Sequence, residues 1–528
     1  TETRWTYELC VAQCPAGAVY LVSSQGFITS SSTATTAKAI EYLDKLNRVF
    51  RSESEGFDGT PVYADTLFTA RGFVEKASKP YFDGTAAQDI LWAENAYDVV
   101  GRRTSVTLPD GGVESTAFSG LTTTLTNALT QTSTRVENAL GELVSATDNL
   151  GYVTTYSYDA FGNLTETDAE GVVTTMTYDI RGLKTAMDDP DMGVWSYSYD
   201  ALGQLVSQTD AKSQTVTMAY DKLGRMVSRT EAEGTTTWTY DTATKGVGKI
   251  ASVSAPSINY AETMAYDGLG RPSTASLTFE SATYDTTTLY DAAGRADTLV
   301  YPTGFQVVSH FTANGHLSSV TDELSTVTYW QATTVNAEGQ VTAETLGNGV
   351  TTARVYDPAT SRIDSILTTL GGTTIQDLAF DFDYIGNLTA REDLRQDREE
   401  AFSYDGLNRL TGTTLTDTAT LATLATTTYS YDALGNIVTK SDVAGGANYL
   451  YGLAGAGPHA VSQIGTAIYS YDANGSMTVG DNKTTTWTSF NKPSQITDTL
   501  TGDLTSFVYG PSRARVKQQI VDGGLSTT

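Results

Sequence analysis

Histidine, cysteine and basic side chains are scarce in this 528-residue chain. The three histidines are His310, His316 and His459, too few and too scattered for a histidine-rich metal site. His310 and His316 fall in the phrase HFTANGHL and read as strand and turn residues rather than a metal pair. The two cysteines, Cys10 and Cys14, cannot close a zinc site alone, and a local disulfide is the better reading than a redox pair. Lys and Arg number 33 against 61 Asp and Glu, a net charge of −28. Such a chain offers no basic stripe for nucleic acid and no patch for anionic lipid. No apolar run approaches the ~18 residues that a membrane-spanning helix needs. Gly371-Gly372 and Gly445-Gly446 precede no Lys-Ser/Thr helix start, so no phosphate loop is expected. No secretory leader is visible, and TETRWTYELC reads as the middle of a phrase, as if an ordered interior of a longer protein.

What the chain does have is a period. Tyr-Asp pairs stand at Tyr158-Asp159, Tyr178-Asp179, Tyr199-Asp200, Tyr220-Asp221 and Tyr240-Asp241, spaced about every 21 residues as in repeat architectures. Most open the phrase Tyr-Asp-x-x-Gly-x-Leu/Met, as at Asp159–Gly162, Asp200–Gly203 and Asp221–Gly224. Asp starts a turn by accepting a hydrogen bond from the backbone two residues on. The Gly suits the positive-φ position of a type I turn closed by a G1 bulge. Midway lies a second turn, clear at Asp168–Gly171 and weaker at Asp210–Ser213 and Glu231–Gly234. Between turns run β-formers such as Val172–Tyr178. Each period is therefore one two-stranded hairpin, and its recurring acids are turn formers rather than catalysts.

Degenerate units extend the pattern. Tyr42 to Phe50 keeps Tyr and a later Asp but has Asn47 for Gly, a residue that tolerates the left-handed conformation. Further copies begin at Phe68, Tyr97, Glu137, Tyr266, Tyr290, Phe311, Phe382, Tyr404, Tyr431 and Tyr471. Residues 1–82 read as degenerate N-terminal repeats with the cysteines, and 83–528 as the array. No linker divides the chain, and only Ala34 to Leu46 shows helical propensity, where it runs into a repeat unit. One strand per ten residues gives roughly fifty strands. An open sheet of that width twists and must curl, so an all-β fold of tandem hairpins in a continuous spiralling antiparallel sheet is expected, a hollow shell or barrel with a thin apolar seam.

This repeat resembles the RHS (rearrangement hotspot) or YD-repeat family, supported by EGFDGTPVYADT (Glu55 to Thr66), SKPYF (Ser78 to Phe82) and FVYGPSRARVKQQ (Phe507 to Gln519). The family includes bacterial polymorphic toxins, cocoon-forming subunits of insecticidal Tc toxins, wall-associated proteins and teneurins. The resemblance implies a secreted or cell-surface, non-catalytic β-shell that encloses a C-terminal effector of the same polypeptide, with secretion-system or cell-surface partners. The C-terminal core segment and any effector are absent from these residues. A second reading is an extracellular scaffold whose outer face binds glycan or protein through Trp195, Trp238, Trp330 or Trp487, rings that otherwise pack in strands. A third, a glycoside-cleaving enzyme, would need a carboxylate pair. The densest acidic knot, Asp188, Asp189 and Asp191, sits where an enlarged intermediate turn belongs before Gly193, with a weak Ca²⁺ role as the other reading. No catalytic, cofactor-binding or metal-ligating residue is assigned.

Overall fold

A computed structural model describes residues 2–10, 14–27, 36–324, 327–523 and 525–527. These residues form 49 β-strands, joined by turns and by three short 3₁₀ elements at Ala87–Asp89, Pro256–Ile258 and Leu453–Gly455. Among the described residues the paired strands are antiparallel and, apart from Pro61–Phe68 with Tyr81–Phe82 and Val74–Ser78 with Trp92–Tyr97, are neighbours in sequence, as at Val153–Tyr158, Leu164–Ala169, Val172–Tyr178 and Lys184–Asp189. The expected chain of hairpins is the observed fold.

The strands form for the reasons their composition suggests. Thr, Val and Tyr suit a pleated surface. In Val172–Tyr178 and Gly193–Tyr199, half-buried and exposed residues alternate strictly, one face packed and one wet. A register shift falls immediately before the repeat tyrosine, at Ser157/Tyr158, Thr177/Tyr178, Ser198/Tyr199 and Ala219/Tyr220. This is the bulge that the Asp-x-x-Gly turn requires.

The helical propensity of Ala34 to Leu46 is overridden. Ala34 lies outside the described residues, while Ala39–Leu43 is a strand paired on both sides, to Tyr20–Phe27 and Val49–Glu55. Two ladders of hydrogen bonds outweigh a weak local preference. Cys10 and Cys14 are joined as a disulfide.

The chain divides into two compact units. Unit one comprises residues 1–134 and 288–426, and unit two residues 135–287 and 427–528. Each contains an earlier and a later run of hairpins packed turn against turn. In unit one, Asn314 Nδ2 donates to the Gly56 carbonyl (3.2 Å), and Gln131 and Asn408 exchange side-chain hydrogen bonds at 3.0 Å. In unit two, Lys212 meets Asp472 at 2.8 Å and Arg513 meets Glu231 at 2.5 Å. The apolar interior is thin: among the described residues no large side chain is fully buried, and the most buried include small or medium groups such as Val216, Val253 and Ala255.

Candidate functional site

The feature that recurs and carries the chemistry is the Tyr-Asp turn. At Asp159 the backbone N–H donates to the Asn163 carbonyl (2.9 Å), and Gly162 N–H donates back to the Asp159 carbonyl (3.1 Å). Gly162 has φ of +81°. The Asp159 Oδ1 accepts from the N–H groups of Phe161 and Asn163, both at 2.9 Å, and Oδ2 accepts from Asn163 Nδ2 at 2.8 Å. The first of these bonds is the one expected from turn chemistry. The role of the residue after the Gly, or after the Asn408 that replaces it, is not, although Asn163, Gln204, Arg225, Arg271, Asn387 and Arg409 stand there in plain view. Arg225, Arg271 and Arg409 donate from Nε to the Asp Oδ2 four residues back, each at 2.7 Å. The guanidinium of Arg225 also lies 4.3 Å from the centre of the Tyr240 ring, and that of Arg295 lies 4.2 Å from that of Phe311. A cation over an aromatic face is attracted by the ring quadrupole.

The repeat tyrosine does more than spread an aromatic face. Its hydroxyl donates to a backbone carbonyl of the preceding hairpin: Tyr158 to Leu143 (2.9 Å), Tyr199 to Lys184 (3.0 Å), Tyr220 to Leu205 (2.9 Å), Tyr404 to Leu388 (2.7 Å) and Tyr509 to Pro493 (2.7 Å). The acceptor is the first residue of a strand, where the bulge interrupts the regular ladder. A separation of about 15 residues in sequence is one that residue patterning alone does not reveal.

The electrostatics follow this geometry. The Asn163 amide, then backbone N–H groups, hold the Asp159 carboxyl below its ordinary value. Asp221 and Asp267 are lowered by the backbone N–H of Arg225 and Arg271 and by their guanidinium groups. The Arg225 guanidinium takes Asp241 down to about 2. Every carboxyl with a clear shift moves down, as a hydrogen-bonded structural carboxylate does and a general acid does not. Burial, then the Asp481 carboxylate, pushes Tyr469 up to about 12.

The acidic knot resolves into a turn and a seam contact. Asp189 Oδ1 accepts from the N–H groups of Asp191 and Met192 (2.9 and 3.0 Å), and Asp188 pairs with Thr175 in the ladder. Asp191 instead reaches the later run of unit two, where its Oδ2 lies 2.6 Å from His459 Nδ1 and its Oδ1 accepts the His459 N–H at 3.0 Å. No sequence signal linked these two residues. His310 lies in the strand Gln306–Phe311, and His316 follows the turn at Gly315 with its Nε2 3.1 Å from the Glu55 carbonyl. Among the described residues no three His, Cys, Asp or Glu side chains gather as metal ligands. Three indole N–H groups are tied back: Trp195 to Met192, Trp330 to Glu344 and Trp487 to Met477. Trp238 packs under the Arg229 guanidinium.

Each unit has cavities. One in unit one, of about 430 Å³, lies beside Lys79, Tyr81, Glu338 and Tyr356, with Lys79 paired to Glu338 at 2.7 Å. One in unit two, of about 240 Å³, is lined by Trp487, Phe490, Phe507 and Tyr509 beside Glu231 and Glu233. Glu231 is held by Arg513, and the Glu233 carboxylate accepts from the Ser489 N–H and hydroxyl at 2.7 and 2.5 Å.

Comparison with known proteins agrees with the repeat. The family model described as RHS Repeat matches residues 138–172 and 199–236. No curated protein sequence matches. Among solved structures, the crystal structure of TcdB2-TccC3 superposes with a TM-score of 0.83 at 16% identity, covering 98% of this chain and 32% of that one. The complex TcdB2-TccC3-Cdc42 gives 0.80 at 16% identity, covering 95% and 31%. The Photorhabdus luminescens Tc holotoxin pore gives 0.79 at 16% identity, covering 95% and 30%. The chain thus spans about a third of the length of the solved chains it matches. Among the described residues no helix is long and apolar enough to cross a membrane. The Tyr-Asp turns, the RHS Repeat matches within residues 138–236 and the fold shared with the TcdB2-TccC3 chain together support the RHS/YD-repeat family for this chain.

Proposed function

We propose that this chain is the non-catalytic wall of an exported RHS-type protein, built to enclose an effector domain of the same polypeptide and to help deliver it. The observation that carries the reading is the fold shared with TcdB2-TccC3 over 98% of the chain, made of residues whose polar groups are spent on the fold itself. The repeat acids are bonded to their own turns and the repeat tyrosines to neighbouring hairpins, so a wall, not a reaction centre, is what this sequence invests in. The reading keeps residues 1–82 as degenerate repeats heading the array 83–528, and assigns no catalytic, cofactor or metal residue. Nucleic acid is not a partner on this reading, given the charge of −28. The test is native and denaturing trypsinolysis of the full-length protein from its source. A C-terminal fragment that survives the first treatment and not the second supports enclosure. A fragment cut equally in both overturns it.

A second reading, a cell-surface scaffold that binds glycan or protein, is favoured by the aromatic cavity of unit two. Aromatic faces beside carboxylates and hydroxyls suit a sugar ring. Quenching or enhancement of Trp487 fluorescence by a panel of glycans supports it. Loss of that signal in Trp487→Phe confirms the place, and no response to any glycan counts against it.

A further inference from the structure

The ladder that joins strand to strand is interrupted in the later run of unit two. A three-stranded sheet of Tyr449–Tyr451, Val461–Ile464 and Ala467–Ile468 is followed by a seven-stranded sheet. The second sheet begins at Ser470–Tyr471 and ends at Leu525–Thr527. Among the described residues none of its strands is paired to a strand outside it. Tyr469 alone stands between the two sheets. Its N–H donates to the Ser462 carbonyl (3.0 Å) and its hydroxyl to Asp481 (2.5 Å).

Side chains, not a ladder, hold the seven-stranded sheet to the earlier run of the unit. Near Tyr469, Asp210 accepts from Asn474 (2.6 Å) and Lys212 pairs with Asp472 (2.8 Å). Further along, Glu233 accepts the Ser489 N–H at 2.7 Å. At the far end Glu231 pairs with Arg513 (2.5 Å) and Glu280 with Lys517 (2.9 Å). Every one of these contacts contains a carboxylate. The cavity of about 240 Å³ lies in the same seam, with Ile258 on one side and Trp487, Phe490 and Phe507 on the other. Partly exposed pairs such as Lys517–Glu280 trade their partners for water at small net cost. A void adds no dispersion attraction. The backbone groups within the sheet, in contrast, need their ladder partners. The seam therefore yields before the sheet does.

The acidic knot marks the fixed end. Asp191 holds both the N–H and the Nδ1 of His459. A Cβ at Gly457 or at Gly475 would collide with Asp191, so this turn is wedged against both sheets beside Tyr469. We infer that the sheet from Ser470 to Thr527 is a hinged flap. It swings as one body about Tyr469, parts from the earlier run at its Lys517 end and opens the aromatic cavity, while Asp191 keeps the pivot in place. Every contact in this device lies inside unit two.

Hydrogen exchange of the whole chain, read by mass spectrometry, tests the flap. The Ser489 N–H has its acceptor across the seam, whereas the amides of Leu504–Tyr509 have theirs within the sheet. Ser489 should exchange at least tenfold faster than those ladder amides. Lys517→Glu sets two carboxylates against each other at the far end. It should speed Ser489 at least tenfold more, and leave the His459 amide at the pivot and the ladder amides at wild-type rates. Adding Glu280→Lys to Lys517→Glu restores an opposite pair and should restore the Ser489 rate. A Ser489 rate that Lys517→Glu leaves unchanged means that the contacts open one by one, and overturns the flap. Ladder amides that accelerate as much as Ser489 mean that the sheet melts instead of swinging, and overturn it too. So does a swapped pair that fails to restore protection.

Discussion

At the scale of the residue, three groups carry the repeat: the Asp carboxylate, the Gly Cα and the Tyr hydroxyl. Gly203 has φ of +81°, a conformation in which a β-branched side chain is strained by about 1–2 kcal/mol. Gly203→Val is expected to lower the melting temperature, and an unchanged melt would count against this account of the turn. Tyr220→Phe removes the donor to the Leu205 carbonyl. We expect a loss of about 1 kcal/mol, the ordinary net worth of a hydrogen bond, seen as faster amide exchange in the strand beginning at Leu205. Much of this was legible in advance, because Asp and Gly at fixed spacing have a local cause. The hydroxyl latch was not, since its acceptor depends on where the bulge sets the ring.

At the scale of the element, hairpins are specified locally and seams are not. The ladder Thr175↔Asp188, Met176↔Met187, Thr177↔Ala186 follows from two β-forming runs and the turn between them. The seams join residues far apart in sequence, with separations of 258 to 282 in unit one and 237 to 282 in unit two. At the unit two seam Asp210 is 5% exposed and depends on Asn474 for its Oδ2 partner. Asn474→Ala leaves that carboxylate oxygen unpaired and should cost about 1–3 kcal/mol. Hydrogen exchange should show the loss in the turn at Asp472–Gly475 while the hairpin Val153–Ala169 keeps its protection. Equal loosening of both would mean that the seam is not a separate element.

At the scale of the whole molecule, the same repeat chemistry sets a pH window. Asp241, at about 2, and the lowered Asp159, Asp221 and Asp267 have folded values below the ordinary 3.8. Their stabilisation is present above about pH 4 and is lost as pH falls through the folded values. Tyr81 and Tyr469, both pushed to about 12 from 10.0, work the other way. Their contribution is complete below about pH 10 and is lost as pH rises through 12. Thermal melts across pH should therefore plateau between about 4 and 10 and fall on both sides. A maximum confined to acid or to alkaline pH would contradict this assignment.

The sequence by itself determined the repeat, its two turns, the all-β class and the absence of any helical core, because each rests on contacts within about 20 residues, where residue type dictates backbone shape. It also pointed to a wall rather than a reaction centre, since acids that recur at every turn have a turn's explanation. Only the tertiary structure decided which run of hairpins lies beside which, that Asp191 meets His459, and that Asn474 is covered while Leu202 is bare. Those outcomes depend on how twist accumulates over many strands before one edge meets another. No local pattern of residues records that sum.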